Sequence, residues 1–193
     1  MRVIAVGGEA KNIGKTTLVC NIIAAFPQIG WTAIKFSTHA HVPVNVELVI
    51  ETKGISIWRQ SCAGDDSDTA RFLKAGAQRG FLVLSEPSDH RMVSEILRKQ
   101  LPPAAHVIIE STQVAELLNP DLFLLVINSA AVKLKKPAPK LFESANAFIR
   151  RAGEGLATGI ELNPAGKPIF ESRREGLAPE LASLISDFIR TPV

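Results

Sequence analysis

The stretch RVIAVGGEAKNIGKTT, Arg2 to Thr17, joins an apolar run to a glycine-bearing loop that ends in a lysine and two threonines. Val3 to Val6 is apolar at every position, the pattern of a strand buried on both faces. Beyond the loop, Leu18, Ile22 and Phe26 recur every four residues, which predicts a helix from Lys15 to Phe26 stopped by Pro27 and Gly30. A turn of this kind between strand and helix is the arrangement that grips phosphate. Backbone N–H groups and the helix N-terminus face the phosphates, a lysine reaches the outer ones, and a hydroxyl helps hold magnesium. On this reading Asn12, Ile13, Gly14, Lys15, Thr16 and Thr17 bind a nucleotide, with Thr16 also on Mg2+. The usual spacing, G-x-x-x-x-G-K-[ST], places its first glycine position on Glu9. Either Gly8 takes the turn position in a loop one residue longer, or Glu9 occupies it with its side chain turned outward, at the cost of strain if φ is positive.

Outward from this loop, Trp31 to Phe36 is a second strand, so the first 36 residues form a right-handed strand–helix–strand unit. Val44 to Glu51 and Ile55 to Trp58 alternate partly with period two around Thr52 to Gly54, predicting a hairpin at about 44–60 inserted at a sheet edge. Such an apolar hairpin needs covering by a neighbouring element or a second subunit, and a homodimer is the expectation. The loop from Gly64 caps a helix from Thr69 to Ala77, and strands follow at Phe81 to Ser85, His106 to Ile109 and Leu122 to Ile127. Helices are expected at Ser88 to Leu101, at about Lys140 to Arg151 (Phe142, Ala145, Phe148 and Ile149 along one side) and at Leu177 to Ile189. Leu156 to Leu162 and Pro168 to Glu171 are further strands. Strands alternating with helices predict the α/β class: a three-layer P-loop NTPase fold with a mainly parallel sheet covered on both faces and an inserted edge β-hairpin. A chain of 193 residues fits one domain, 1–193, with a C-terminal extension at about 151–193.

Composition narrows the function class. At 46% hydrophobic and 21% charged residues the chain is globular, not disordered or fibrous. The net charge of +3 comes without a run of five like charges, so no nucleic-acid arm is expected. The short basic patch Lys133 to Lys136 reads as a solvated loop, or as an anion or partner site. Two cysteines, Cys20 and Cys62, are too few for a disulfide framework. No signal-type segment and no run of 18 apolar residues occurs, so a cytoplasmic protein without a membrane partner is expected.

A nucleotide enzyme needs an acid near the phosphates. Glu110 ends the run Val107 to Glu110, and the carboxyl end of a parallel strand lines the ligand crevice of an open α/β sheet. Of Asp65, Asp66 and Asp68, helix capping accounts for at least one. Asp68, just before Thr69, is the one assigned with Glu110 to position magnesium or an attacking water, making Thr16, Asp68 and Glu110 the metal set. His39 and His41 hold zinc only if other ligands converge, and only Cys62 is near; otherwise they belong to a polar loop by the nucleotide. Asn128 is read as a turn residue rather than part of a guanine motif.

With these residues placed, the chain resembles the molybdopterin-guanine dinucleotide biosynthesis protein B family of small P-loop GTPases, over about the first 130 residues. Four segments carry the likeness in order. They are Gly14 to Thr17; Ala33 to Lys35, like the family's I-K-H; Asp68 to Ala77, like D-[ST]-x-R-x-x-x-A-G-A; and Ile108 to Glu110, like its I-E-G. The third is the most specific, because a glycine between alanines at that distance from Asp-[Ser/Thr] is not general to P-loops. The resemblance implies GTP (ATP possible) with Mg2+, Lys35 at the nucleotide, a dimer helped by the hairpin, and a part in delivering or attaching nucleotide to the molybdopterin cofactor beside a partner biosynthesis enzyme. Phe36 stands where the family has histidine, Ser111 replaces the glycine after Glu110, and Glu9 replaces the first loop glycine. The glycine after the acid, where this chain has Ser111, is the one whose backbone senses the terminal phosphate in such proteins, so the resemblance implies slow hydrolysis or binding alone. Two alternatives stand beside this: a small-metabolite kinase with His39 or Asp68 as base, and a non-hydrolysing cofactor-delivery or partner module.

Overall fold

Successive residues of the first strand, β1 (Arg2–Gly8), leave it on opposite sides, and both sides are apolar. Val3 and Ala5 join one buried cluster while Ile4 and Val6 join another. In a computed structural model of the chain, residues 1–8, 10–38, 41–86, 89–103, 105–111, 119–127, 139–151 and 166–191 are described. Their strands are β2 (Thr32–Ser37), β3 (Val46–Thr52), β4 (Ile55–Gln60), β5 (Arg79–Ser85), β6 (His106–Glu110), β7 (Leu122–Val126), β8 (Ala147–Arg151) and β9 (Ile169–Ser172). Together with β1 they form one sheet in the order β3-β4-β5-β2-β6-β1-β7-β8-β9. The pairings from β5 through β9 are parallel, and β4 runs antiparallel to both β3 and β5. The expected α/β architecture with an edge hairpin is therefore present.

The two clusters define the layers. On one face lie α1 (Lys15–Ala25), α2 (Asp68–Lys74) and α5 (Pro179–Arg190), through Leu18, Ile22, Phe72, Leu181 and Ile185. The other face takes α3 (His90–Gln100) and α4 (Pro139–Ser144), through Val93, Leu97 and Phe142. Each fully buried aliphatic side chain in these stripes contributes about 1.5–3 kcal/mol relative to exposure. That burial, not helix propensity, holds α2, since a helix of 7 residues is too short to persist alone.

The helix expected at Lys140 to Arg151 is corrected. α4 ends at Ser144, and Ala147 onward is β8, parallel to β7. Asn146 docks the chain on β7: its N–H donates to the Phe123 carbonyl at 2.8 Å and its Oδ1 accepts from the Phe123 N–H at 2.7 Å. Phe148 and Ile149, read as one helical stripe, enter opposite clusters, as strand neighbours must. The strand expected at Leu156 to Leu162 lies outside the described residues, as do Glu9, His39, Asn128 and Lys133 to Lys136.

Cys20 on α1 reports on this packing. Burial pushes its thiol up to about 11, and Sγ donates to the Arg71 carbonyl at 3.6 Å, whereas Cys62 is exposed. Because the thiolate is the nucleophile and Cys62 is exposed, Cys20 should react with a thiol reagent at pH 8 much more slowly than Cys62. Two fast thiols in the native protein would contradict the packing of α1 on α2.

Candidate functional site

The loop between β1 and α1 is shaped by two glycines. Gly14 has φ 100°, a left-handed conformation that strains any side chain, and a Cβ there would meet nothing within 4 Å. The space above it is open for a ligand to approach the backbone. Gly8 is different: it ends β1 in register with Val126, and a Cβ would lie 2.5 Å from Ile13 Cδ1 and 3.0 Å from Lys15 Cδ. Gly8 thus serves as the floor under the folded-back loop rather than as its turn. Among the described residues α1, with Gly14 at its N-cap position, has no side-chain cap and no acid in its first turn, so its first-turn amides, which have no partner inside a helix, can face an anion.

Around this helix start lies a cavity of about 600 Å³ whose wall includes Asn12, Gly14, Lys15, Thr16, Thr17, Lys35, Asp68 and Glu110. The fold thus brings those assigned residues together. Ile13 is the exception: its side chain packs over Gly8 and against the α1-side core. Lys15 is buried, and Nζ donates back across the loop to the Ala10 carbonyl at 2.6 Å. Burial holds its pKa below the usual lysine value, with Glu110 opposing that effect and Lys35 adding to it.

Lys35 and Glu110 are register partners on the adjacent parallel strands β2 and β6, both on the α1 side of the sheet. Their side chains form an ion pair, and Lys35 Nζ also lies 2.8 Å from Asp68 Oδ2. Burial lowers the Lys35 pKa, but Glu110 and Asp68 outweigh it and the net direction is upward. Asp68 reaches this point from the first turn of α2, which Ser67 caps by accepting the Ala70 N–H at 3.2 Å. Thr16 Oγ1 donates to Asp68 Oδ1 at 3.0 Å, tying the α1 start to the same cluster.

Asp65 and Asp66 serve elsewhere. Asp65 Oδ1 accepts the Ser67 N–H at 2.8 Å, and its bonds from Ser67 hold its carboxyl below the usual range; Asp66 pairs with Lys74 at the surface. His41 lines a smaller cavity of about 180 Å³, and no cluster of three His, Cys, Asp or Glu able to hold a metal occurs among the described residues. Sequence reasoning left Arg71 unassigned, although it lines the large cavity with its guanidinium 3.9 Å from Asp68 Oδ1. Its position three residues after Asp68 on a helix was the available signal.

Magnesium fits this donor set. Thr16, Asp68 and Glu110 offer hard oxygens. Among the described residues Glu110 Oε2 is buried without a hydrogen-bond partner, an acceptor whose burial calls for a cation or donor. Among the described residues no helix is long and apolar enough to cross a membrane.

No protein-family model matches the chain, and no curated protein matches its sequence. Solved structures do match. HypB from Helicobacter pylori, in complex with nickel, is 15% identical over 98% of this chain and 85% of its own, with a TM-score of 0.55. LpxK from Aquifex aeolicus, in complex with ATP, is 18% identical over 89% of this chain and 53% of its own, with a TM-score of 0.50. A MobB protein homolog from Bacillus stearothermophilus is 18% identical over 100% of both chains, with a TM-score of 0.48. At such identities likeness speaks to architecture, and the architecture is the α/β fold of the P-loop NTPases.

Proposed function

We propose that this chain binds a nucleoside triphosphate with Mg2+, GTP in preference to ATP, hydrolyses it slowly, and acts in molybdenum cofactor maturation beside a partner biosynthesis enzyme. The observation that carries the nucleotide reading is the convergence of Lys15, Thr16, Lys35, Asp68 and Glu110 on one cavity at an uncapped helix N-terminus. Lys15 and the N–H groups of residues 12–17 hold the phosphates, while Thr16, Asp68 and Glu110 hold the metal, and Asp68 or Glu110 orients the attacking water. Magnesium, when bound, neutralises charge developing on the outer phosphates. The cofactor role and the choice of GTP rest on the four sequence segments from Gly14 to Glu110. A homodimer is part of the reading: β3 is a sheet edge with Leu48 and Val49 exposed, and a second copy would cover it.

The smaller cavity favours a second reading. It shares Lys35, Ser37 and Asp68 with the larger one and is lined also by His41, Ser67 and Thr69, so a small phosphate acceptor there would make the protein a kinase. ADP release that depends on an added metabolite would support that alternative.

Calorimetric titration of the purified protein with Mg-GTP and Mg-ATP tests the first reading. Binding of GTP with weaker binding of ATP is expected. Binding of neither overturns the nucleotide assignment, and tight binding without turnover favours the cofactor-delivery module.

A further inference from the structure

Lys35 stands where its charge matters most. Its ammonium bridges Asp68 and Glu110, the two acids lining the cavity among the described residues, while Glu110 is 2% exposed at its side chain and its Oε2 has no hydrogen-bond partner among those residues. We propose that Lys35 is the resident cation of this acidic pair, excluding free divalent metal until nucleotide phosphates arrive to receive its ammonium, so that metal and nucleotide bind only together.

The argument is electrostatic and geometric. A divalent ion contacting both acids must enter beside an ammonium already in contact with them, and like charges a few ångströms apart repel, most strongly at the buried Glu110 end of the pair. The cavity wall also carries Lys11, Lys15 and Arg71, so among the described residues a bare cation meets four cationic side chains and two carboxylates. Phosphates reverse that balance. They attract the ammonium of Lys35, which lines the same cavity on a flexible four-carbon stem, and its departure frees Asp68 Oδ2 and Glu110 Oε1 beside the unpartnered Oε2. Thr16 already touches Asp68, so the hydroxyl at the helix start belongs to the same cluster.

The phosphate half rests on the nucleotide reading above; exclusion of free metal by Lys35 does not, and the experiment separates them. Nucleotide-free protein is titrated with Mn2+ alone, free Mn2+ being followed by electron paramagnetic resonance. Wild type should bind no Mn2+ at this site below the millimolar range. Lys35→Met should bind one Mn2+ tighter by about tenfold or more. Lys35→Arg, keeping the charge, should behave as wild type, and adding Glu110→Gln to Lys35→Met should remove the gained site. If Lys35→Met does not fold, as judged by its circular dichroism melt, Lys35→Gln gives the same readout. Stoichiometric Mn2+ binding by wild type, or no gain in a folded charge-removed variant, overturns the proposal. With nucleotide, affinity should depend on Mg2+ less steeply in Lys35→Met than in wild type; equal dependence overturns the coupling. If no nucleotide binds at all, the functional reading fails, and the Mn2+ titration still decides the part of Lys35.

Discussion

Lys15→Ala is expected to weaken nucleotide binding by roughly 30- to 4,000-fold while leaving the protein folded. Truncating one partner of a close, poorly solvated charge contact removes about 2–5 kcal/mol of binding energy, which is the source of that range. The fold should survive because, among the described residues, the ammonium of Lys15 donates to the carbonyl of Ala10, an exposed residue whose oxygen water can satisfy instead. Desolvation already disfavours its charged form, so its removal relieves an opposing term, and alanine is a good residue for a first helical turn. Titration of the variant with the preferred Mg-nucleotide, with a denaturation curve alongside, checks both halves. Undiminished affinity in the folded variant would remove Lys15 from the site and the phosphate-loop assignment with it.

Phe72→Ala should destabilise the protein by about 3–5 kcal/mol, a large share of the roughly 5–15 kcal/mol typical of a domain. Phe72 is 0% exposed, among the largest fully buried side chains, and packs in the cluster with α1 and Trp31. It is also the main anchor of α2, the short helix that carries Asp68 and Arg71 to the cavity. Guanidinium denaturation measures the loss as a lower midpoint at similar slope. A drop of less than about 1 kcal/mol would mean that α2 is held by something other than this burial.

Some of this was legible locally. The β1–loop–α1 unit could be read because every signal it needs lies within 25 residues: an apolar run, a glycine able to take φ 100°, a lysine and a hydroxyl, then a four-residue apolar period. Asp68 and Glu110 were legible as a helix start and a strand end. Gly8 was ambiguous because whether it turns or supports the loop depends on Ile13 and Lys15 packing above it. The misread segment was Lys140 to Arg151, where a stripe of Phe142, Ala145, Phe148 and Ile149 satisfies a helical period although β7 stood ready to accept a parallel neighbour.

By itself the sequence determined the alternation of strands and helices, the glycine–lysine–threonine pattern of Gly14 to Thr17 at a strand-to-helix turn, and the apolar character of both faces of β1. Only the tertiary structure decided that β6 lies between β1 and β2, and therefore that Lys35 meets Glu110, 75 residues away in the chain. It also decided that Ala147 to Arg151 extends the sheet. The reason is the range of the forces that choose each feature: side-chain periodicity and turn chemistry act between near neighbours. Strand order, register and the pairing of buried charges are fixed by contacts between segments that meet only once the sheet has formed.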